Sequence, residues 1–160
     1  MRLDEWNALD PAAAERELRQ VCVAPRWAQE VAASRPHPDL ASLQATAEVA
    51  LTDADLDEAM AGHPRIGDRT AGGASRREQS GVAGADAEVL DALAEGNRAY
   101  EERFGHVYLV CATGRSAQEL LDVLRARLGN DAATERAVAL AELAAINRLR
   151  IARLFDEGAA

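Results

Sequence analysis

A histidine followed by a proline, His63-Pro64, opens a segment with the composition of a loop. Imidazole titrates near neutral pH, so a histidine at such a position can donate or accept a proton in a reaction. The proline fixes its own φ angle and so limits how the imidazole is presented. A lone loop histidine is also common as a helix cap or a surface residue, and a catalytic role for His63 therefore needs partner residues.

Three polar residues, Ser75, Glu78 and Gln79, follow at spacings that place them on one face of a predicted short helix. Ser75 and Glu78 also fit a capping box, in which both side chains only satisfy the start of a helix. Capping does not explain Gln79, which favours a binding role for the group.

Arg150 belongs to an apolar stripe of the last predicted helix, together with Leu143, Asn147 and Leu154. A guanidinium among apolar side chains is costly unless it is paired. Its partner is either a carboxylate of the protein, in a structural ion pair, or the acid group of a ligand. Asn97, in the stripe of an earlier helix, is most simply a buried polar residue that caps a neighbouring loop.

The elements that must position these residues are helices. Capping signals and apolar periodicity predict helices over residues 10–21, 26–34, 40–50, 52–62, 75–81, 90–104, 116–129 and 132–155. Residues 63–73 are predicted to form an ordered loop, and residues 107–112 an extended linker without a partner strand. No repeat or shift in composition divides the chain. We therefore predict an all-α, single-domain helical bundle of about seven to nine helices over residues 1–160, with one extended segment at residues 107–112.

The chain of 160 residues has a net charge of -9, with 27 acidic and 18 basic side chains. This charge opposes binding to nucleic acid and to anionic membrane surfaces. No apolar run approaches the roughly 20 residues that span a bilayer, and the N-terminus lacks a signal-peptide pattern. Cys22 and Cys111 lie in apolar surroundings without CxxC spacing, which predicts buried, reduced thiols. A cytoplasmic location is expected.

Motifs for metals and cofactors are missing from the sequence. His37, His63 and His106 are scattered, and no HExxH, HxxxH or paired-cysteine spacing indicates a metal site. A glycine-rich phosphate loop and a serine nucleophile elbow are also missing. The sequence therefore predicts neither a metal nor a cofactor.

Taken together, these residues resemble the family of 2-oxo-4-hydroxy-4-carboxy-5-ureidoimidazoline (OHCU) decarboxylases over most of the chain. The resemblance is carried, in order, by RW at 26–27, HPRIG at 63–67, SRREQSG at 75–81, NRAYEERFG at 97–105, VYLVCATGRS at 107–116 and INRLRI at 146–151. It implies a cofactor-independent enzyme of urate breakdown that decarboxylates a small anionic imidazoline to (S)-allantoin. It also implies a homodimer.

The resemblance further implies the roles of individual residues. His63 matches the proton donor of the family, and Glu78 is its partner at the reactive centre. The positions that match substrate contacts are Pro64, Ser75, Gln79, Tyr108, Leu109, Val110, Cys111, Ala112 and Arg150.

Three departures from the family pattern concern substrate contacts. RIGDR follows the HP pair where many relatives have DLAG, and His106-Val107 replaces an aromatic-proline pair. Thr113 stands where an arginine is expected, with Arg115 two positions later. Whether Arg115 or Arg150 holds the substrate therefore stays open at this point.

Two other functions remain open. A non-catalytic helical interaction module that keeps the family fold would have a degraded site, whereas all the predicted reactive residues are in place. A lyase or hydrolase of a related ureido compound would keep the same residues.

Overall fold

A computed structural model describes residues 1–68 and 72–156 of the chain. Within these ranges every regular element is an α-helix, and no strand is present. The nine helices are α1 (Leu3–Ala8), α2 (Pro11–Leu18), α3 (Pro25–Ala33), α4 (Leu40–Ala50), α5 (Asp53–Ala61), α6 (Gly73–Glu78), α7 (Ala87–Phe104), α8 (Ala117–Arg127) and α9 (Ala132–Asp156). They confirm the predicted all-α class. None of these helices has the length and apolar composition needed to cross a bilayer.

The capping signals of the sequence determine where most helices begin. The side chain of Asp10 accepts a hydrogen bond from the N–H of Ala13 and starts α2. Capping boxes open α5 at Thr52 and α8 at Ser116. Gly105 ends α7 with a φ of 76°, a conformation in which a side chain would be strained.

Three local predictions were wrong. Helix α1 was not predicted, because its 6 residues are too few to show a helical period; it is anchored by Trp6, whose indole N–H donates to the Ala14 carbonyl. Helix α6 ends at Glu78, so Gln79 follows the helix as its C-cap. Gly72 is the N-cap of α6 and Ser75 lies inside the helix, so the capping-box explanation for Ser75 is also wrong. Part of the predicted loop 63–73 lies outside the described residues.

The described chain divides into two compact units, of which the first comprises Met1–Gly62 and the chain from Ala144 onward. Its core includes both tryptophans, which are fully buried. The indole of Trp27 donates to the Ala47 carbonyl at 2.8 Å, which joins α3 to α4. The guanidinium of Arg26 binds the carboxylate of Asp55 and so joins α3 to α5.

The second unit comprises His63–Leu143 and contains α6, α7, α8 and the first part of α9. Its core is one cluster of buried residues that includes Ile66, Val82, Leu93, Tyr100, Tyr108, Val110, Ala112 and Leu124. Residues 108–112, called the extended segment below, have no regular secondary structure, as predicted. The hydroxyl of Tyr108 donates to the Leu120 carbonyl at 2.9 Å, which fixes one end of this segment to α8.

Candidate functional site

His63 is the first residue of a loop of six described residues, 63–68, called the HP loop below. Gly62, not His63, is the C-cap of α5, and His63 is half-buried. The alternative of a helix cap is therefore wrong, and His63 is not a fully exposed surface residue either. Ile66, in the middle of the loop, is buried in the core of the second unit.

Two side chains hold the backbone of the HP loop. The amide oxygen of Gln79 accepts the N–H of Gly67 at 2.9 Å, and its amide nitrogen donates to the Arg65 carbonyl at 3.5 Å. The amide of Asn97, on α7, donates to the Ile66 carbonyl at 2.9 Å. The prediction that Asn97 caps a neighbouring loop is thus confirmed. Because three consecutive residues are held, the loop that carries His63 has few conformations left.

Arg65, which belongs to the part of the HP loop that departs from the family pattern, makes a defined contact. Arg65 forms two hydrogen bonds to the carboxylate of Glu101 on α7, at 2.7 and 2.9 Å. The side chain of Arg65 is 64% exposed, so this pair contributes little to stability but ties the loop to α7.

Glu78 is the last residue of α6 and only 8% exposed, whereas Ser75 and Gln79 are half-buried. Just beyond the helix the backbone passes so close to Arg115 that a Cβ on Gly81 would lie 2.2 Å from the Arg115 carbonyl oxygen. This approach brings the end of α6 next to the end of the extended segment. Burial raises the pKa of the Cys111 thiol, and the carboxylates of Glu142 and Glu78 add to this rise.

The extended segment is buried except at Cys111, which is half-buried. Both cysteines are free, and burial raises the pKa of the Cys22 thiol and of the Cys111 thiol. The prediction of buried, reduced thiols is therefore correct for Cys22 and correct only in part for Cys111. The N–H of Cys111 donates to the carboxylate of Glu142 at 3.4 Å.

The two arginines proposed to hold an anionic ligand lie in different units. Arg115 follows the extended segment, and its Nη1 lies 3.7 Å from a carboxylate oxygen of Glu142. Arg150 belongs to the first unit, where it is half-buried and its Nη1 donates to the Val21 carbonyl at 3.0 Å. The role of Arg150 in substrate binding stays a prediction.

The structure thus places most of the predicted site in the second unit. The HP loop, the turn after α6 and the extended segment meet in one apolar cluster through Ile66, Val82 and Val110. This arrangement supplies an imidazole, a buried carboxylate and backbone N–H groups, which together can transfer a proton and stabilise a negative charge. Among the described residues no group of three His, Cys, Asp or Glu side chains could hold a metal ion.

Sequence reasoning missed two charged residues that contact the extended segment, Arg127 and Glu142. Arg127 continues the apolar stripe of Leu120 and Leu124 on α8, and an arginine in such a stripe was the signal that could have found it.

A cavity of about 350 Å³ adjoins the far end of the HP loop. The residues that line it include Gly67, Asp68, Arg76, Gln79, Val82 and Leu90. His63 and Glu78 are not among its described lining residues, so we do not assign the reaction to this cavity.

Comparison with known proteins gives matches over nearly the whole chain. The family model for OHCU decarboxylase matches residues 7–152. The uric acid degradation bifunctional protein TTL of Arabidopsis thaliana is 30% identical over 156 residues, which cover 91% of this chain and 48% of that protein. The uric acid degradation bifunctional protein PucL of Bacillus subtilis (strain 168) is 28% identical over 162 residues, 97% of this chain and 33% of that protein. The chain therefore spans half or less of the length of these two relatives.

Solved structures agree with this result. A crystal structure of an OHCU decarboxylase in the presence of (S)-allantoin aligns with a TM-score of 0.79 and 31% identity, over 88% of this chain and 97% of that chain. A crystal structure of (S)-allantoin synthase aligns with a TM-score of 0.74 over 98% of this chain and 55% of that chain. Its identity of 16% limits that second likeness to the fold.

Proposed function

Because the chain belongs to the OHCU decarboxylase family, we propose that it converts OHCU to (S)-allantoin and CO2 in urate breakdown. The observation that carries the proposal is the alignment with a solved OHCU decarboxylase over 97% of that protein's chain. The contacts of Gln79 and Asn97 support it. Both side chains hold the HP loop, and Gln79 is the residue that directly follows Glu78.

The chemistry of the substrate explains why we propose no cofactor. OHCU carries a hydroxyl and a carboxylate on one ring carbon, next to a C=N bond. When the bond to the carboxylate breaks, CO2 leaves, the electron pair forms a C=C bond between the two ring carbons, and the C=N nitrogen takes up a proton. The second ring carbon then accepts a proton, while the hydroxyl loses its proton and becomes a carbonyl. The ring itself accepts the electrons, which is the task of a cofactor in many other decarboxylases.

His63 and Glu78 have complementary roles in this proposal. His63, as imidazolium, protonates the second ring carbon from one face and so sets the S configuration. Glu78 binds the substrate hydroxyl and accepts its proton. General acid–base catalysis of this kind contributes typically ~10²–10⁴-fold to the rate.

The remaining predicted residues bind and orient the substrate. Backbone N–H groups of the extended segment, together with Arg115 or Arg150, balance the negative charge that develops as CO2 leaves. Pro64, Ser75 and Gln79 complete the proposed contacts. Gln79 has a second task, since its amide also holds the HP loop.

Turnover of freshly generated OHCU tests this function. OHCU is made in solution from urate, and circular dichroism follows the chirality of the allantoin that forms. We expect (S)-allantoin to accumulate at a rate proportional to the protein concentration. Racemic allantoin at the uncatalysed rate would support a non-catalytic module, and a different product would support a lyase or hydrolase of a related ureido compound.

We also propose that residues 1–160 form one domain, that the protein is a homodimer and that it works in the cytoplasm. The family match runs through both compact units, and both cysteines are free thiols, as a reducing compartment requires. Light scattering should give the mass of two chains, and a monomeric mass at working concentration would contradict the dimer.

A further inference from the structure

The second unit contains a buried ion pair to which the proposed reaction assigns no role. The side chains of Arg127 on α8 and Glu135 on α9 are 6% and 0% exposed. Arg127 Nε donates to Glu135 at 2.6 Å, and the hydroxyl of Tyr100 donates to the same carboxylate at 2.5 Å. Removing two charges from water has a large free-energy cost, and apolar residues of similar size are often as stabilising. Stability alone is therefore a weak reason for this pair.

The same arginine also contacts the extended segment. Nη1 of Arg127 donates to the carbonyl of Leu109 at 2.7 Å, inside the protein. Its guanidinium carbon lies 5.0 Å from the centre of the Tyr108 ring, a distance typical of cation–π contacts. The pair thus holds the backbone of the segment at a defined peptide group.

Backbone geometry determines what this contact does. In an extended chain the C=O of residue 109 and the N–H of residue 111 point to the same edge. Arg127 donates to the C=O of residue 109, and Glu142 accepts from the N–H of residue 111. Both charged side chains therefore lie along one edge of the segment. Because a trans peptide is planar with C=O and N–H antiparallel, the N–H of Val110 is turned to the opposite edge.

The N–H of Val110 is left for a ligand. Val110 is 4% exposed, and no described residue accepts a hydrogen bond from its N–H. Buried N–H groups without an acceptor are rare in proteins, and each one calls for an explanation, of which a role in catalysis is one.

We propose that Arg127, paired with Glu135, is a positioning residue that orients the Leu109–Val110 peptide so that the Val110 N–H donates to an oxygen of the substrate. This inference rests on the proposed decarboxylase function. Arg127 itself does not touch the substrate. Loss of Arg127 should therefore lower kcat. A misaligned Val110 N–H no longer stabilises the negative charge that develops in the transition state.

The decisive variant is the double substitution R127M/E135L, which removes both charges and keeps the buried volume. It should fold, and its kcat for OHCU should fall by ~10-fold or more with a smaller change in KM. The matched control is Tyr100→Phe, which removes a hydrogen bond to Glu135 but leaves the contact of Arg127 with Leu109. It should lower stability and keep the wild-type kcat.

Two further measurements keep the test decisive. In Arg127→Lys one ammonium replaces the fork that reaches Glu135 and Leu109 together, so the same loss of kcat is expected even if the double variant does not fold. In amide NMR spectra of the wild type, (S)-allantoin should shift the Val110 signal, and this response should be lost in Arg127→Lys.

Wild-type kcat in a folded double variant or in Arg127→Lys would overturn the inference, as would an active wild type whose Val110 amide ignores allantoin. A wild type without OHCU turnover would instead overturn the proposed function.

Discussion

Gln79 is a proposed substrate contact, but its side chain also binds the protein itself. Its amide uses both its acceptor and its donor on the HP loop, at Gly67 and Arg65. It directly follows Glu78, so the same short stretch of chain carries the proposed carboxylate and the group that fixes the loop of His63. At this scale a side chain can therefore affect proton transfer by holding the donor in place.

Substitution of Gln79 by Met keeps the length of the side chain and removes both hydrogen bonds. We expect the free energy of unfolding to fall by about 1–2 kcal/mol, since each bond is worth roughly 0.5–1.5 kcal/mol, and kcat to fall because the HP loop moves. Urea unfolding and OHCU turnover measure the two effects. Gln118→Met, at an exposed position of α8, is the control and should change stability by less than about 0.5 kcal/mol. Normal kcat in Gln79→Met would show that the loop does not need this amide.

Among the elements, the turn after α6 passes very close to the chain that follows the extended segment. Gly81 does not have a positive φ angle, but the space that a Cβ would occupy is filled by the carbonyl of Arg115. The obstacle is backbone, which cannot move aside as a flexible side chain does. The spacing between the end of α6 and the extended segment therefore depends on the absence of a Cβ at this position.

Gly81→Ala should force these two elements apart. We expect a loss of about 1–3 kcal/mol in the free energy of unfolding, which is typical when atoms are added to a well-packed site, together with reduced turnover. The control is Gly72→Ala, because no atom of the described residues lies within 4 Å of a Cβ built at Gly72. Chemical denaturation of both variants measures the difference, and equal stability of the two would contradict the close approach.

Helices with caps and a clear period were predictable from the sequence, whereas short or irregular elements were not. Thr52 with Asp55 and Ser116 with Glu119 opened α5 and α8 as predicted. Helix α1 is too short for a period, and α6 ends at Glu78, after which Gln79 turns its amide towards the HP loop. That turn is a tertiary effect, and local sequence does not contain it.

Sequence motifs predicted candidate site residues, whereas contacts that depend on the packing of the helices could not be predicted. The HP and EQ motifs predicted His63 and Glu78 as the reactive pair, which stays a prediction, and the apolar stripe of α7 correctly predicted the loop contact of Asn97. The contacts of Arg127 and Glu142 with the extended segment depend on how α8 and α9 pack around it. Spacing within one helix does not reveal such contacts.

For the molecule as a whole, each compact unit contains a buried carboxylate paired with arginine. Burial acts to raise the pKa of Asp55 and of Glu135, but hydrogen bonds from Arg26 and from Arg127, with others, outweigh it and lower both values. A carboxylate with a lowered pKa in the folded state stabilises the fold above its unfolded pKa and loses this contribution as pH falls through the lowered value.

We therefore expect the free energy of unfolding to decrease as pH falls below the ordinary values of 3.8 for Asp55 and 4.5 for Glu135. Asp55→Asn should be less stable than the wild type near neutral pH, and this difference should shrink in acid, where the wild-type carboxyl is protonated. Urea unfolding at a series of pH values measures both curves. A difference that stays constant down to strongly acidic pH would contradict the lowered pKa of Asp55.

In the proposed reaction His63 and Glu78 act as one catalytic unit, and a double-mutant cycle tests this most directly. His63→Asn, Glu78→Ala and the combined variant are compared with the wild type for kcat/KM on OHCU, after circular dichroism has shown that each is folded. We predict a loss of ~10²-fold or more in each single variant, and little further loss in the double variant because the two residues serve one step. Near-normal turnover in both single variants, or losses that simply multiply, would contradict the account.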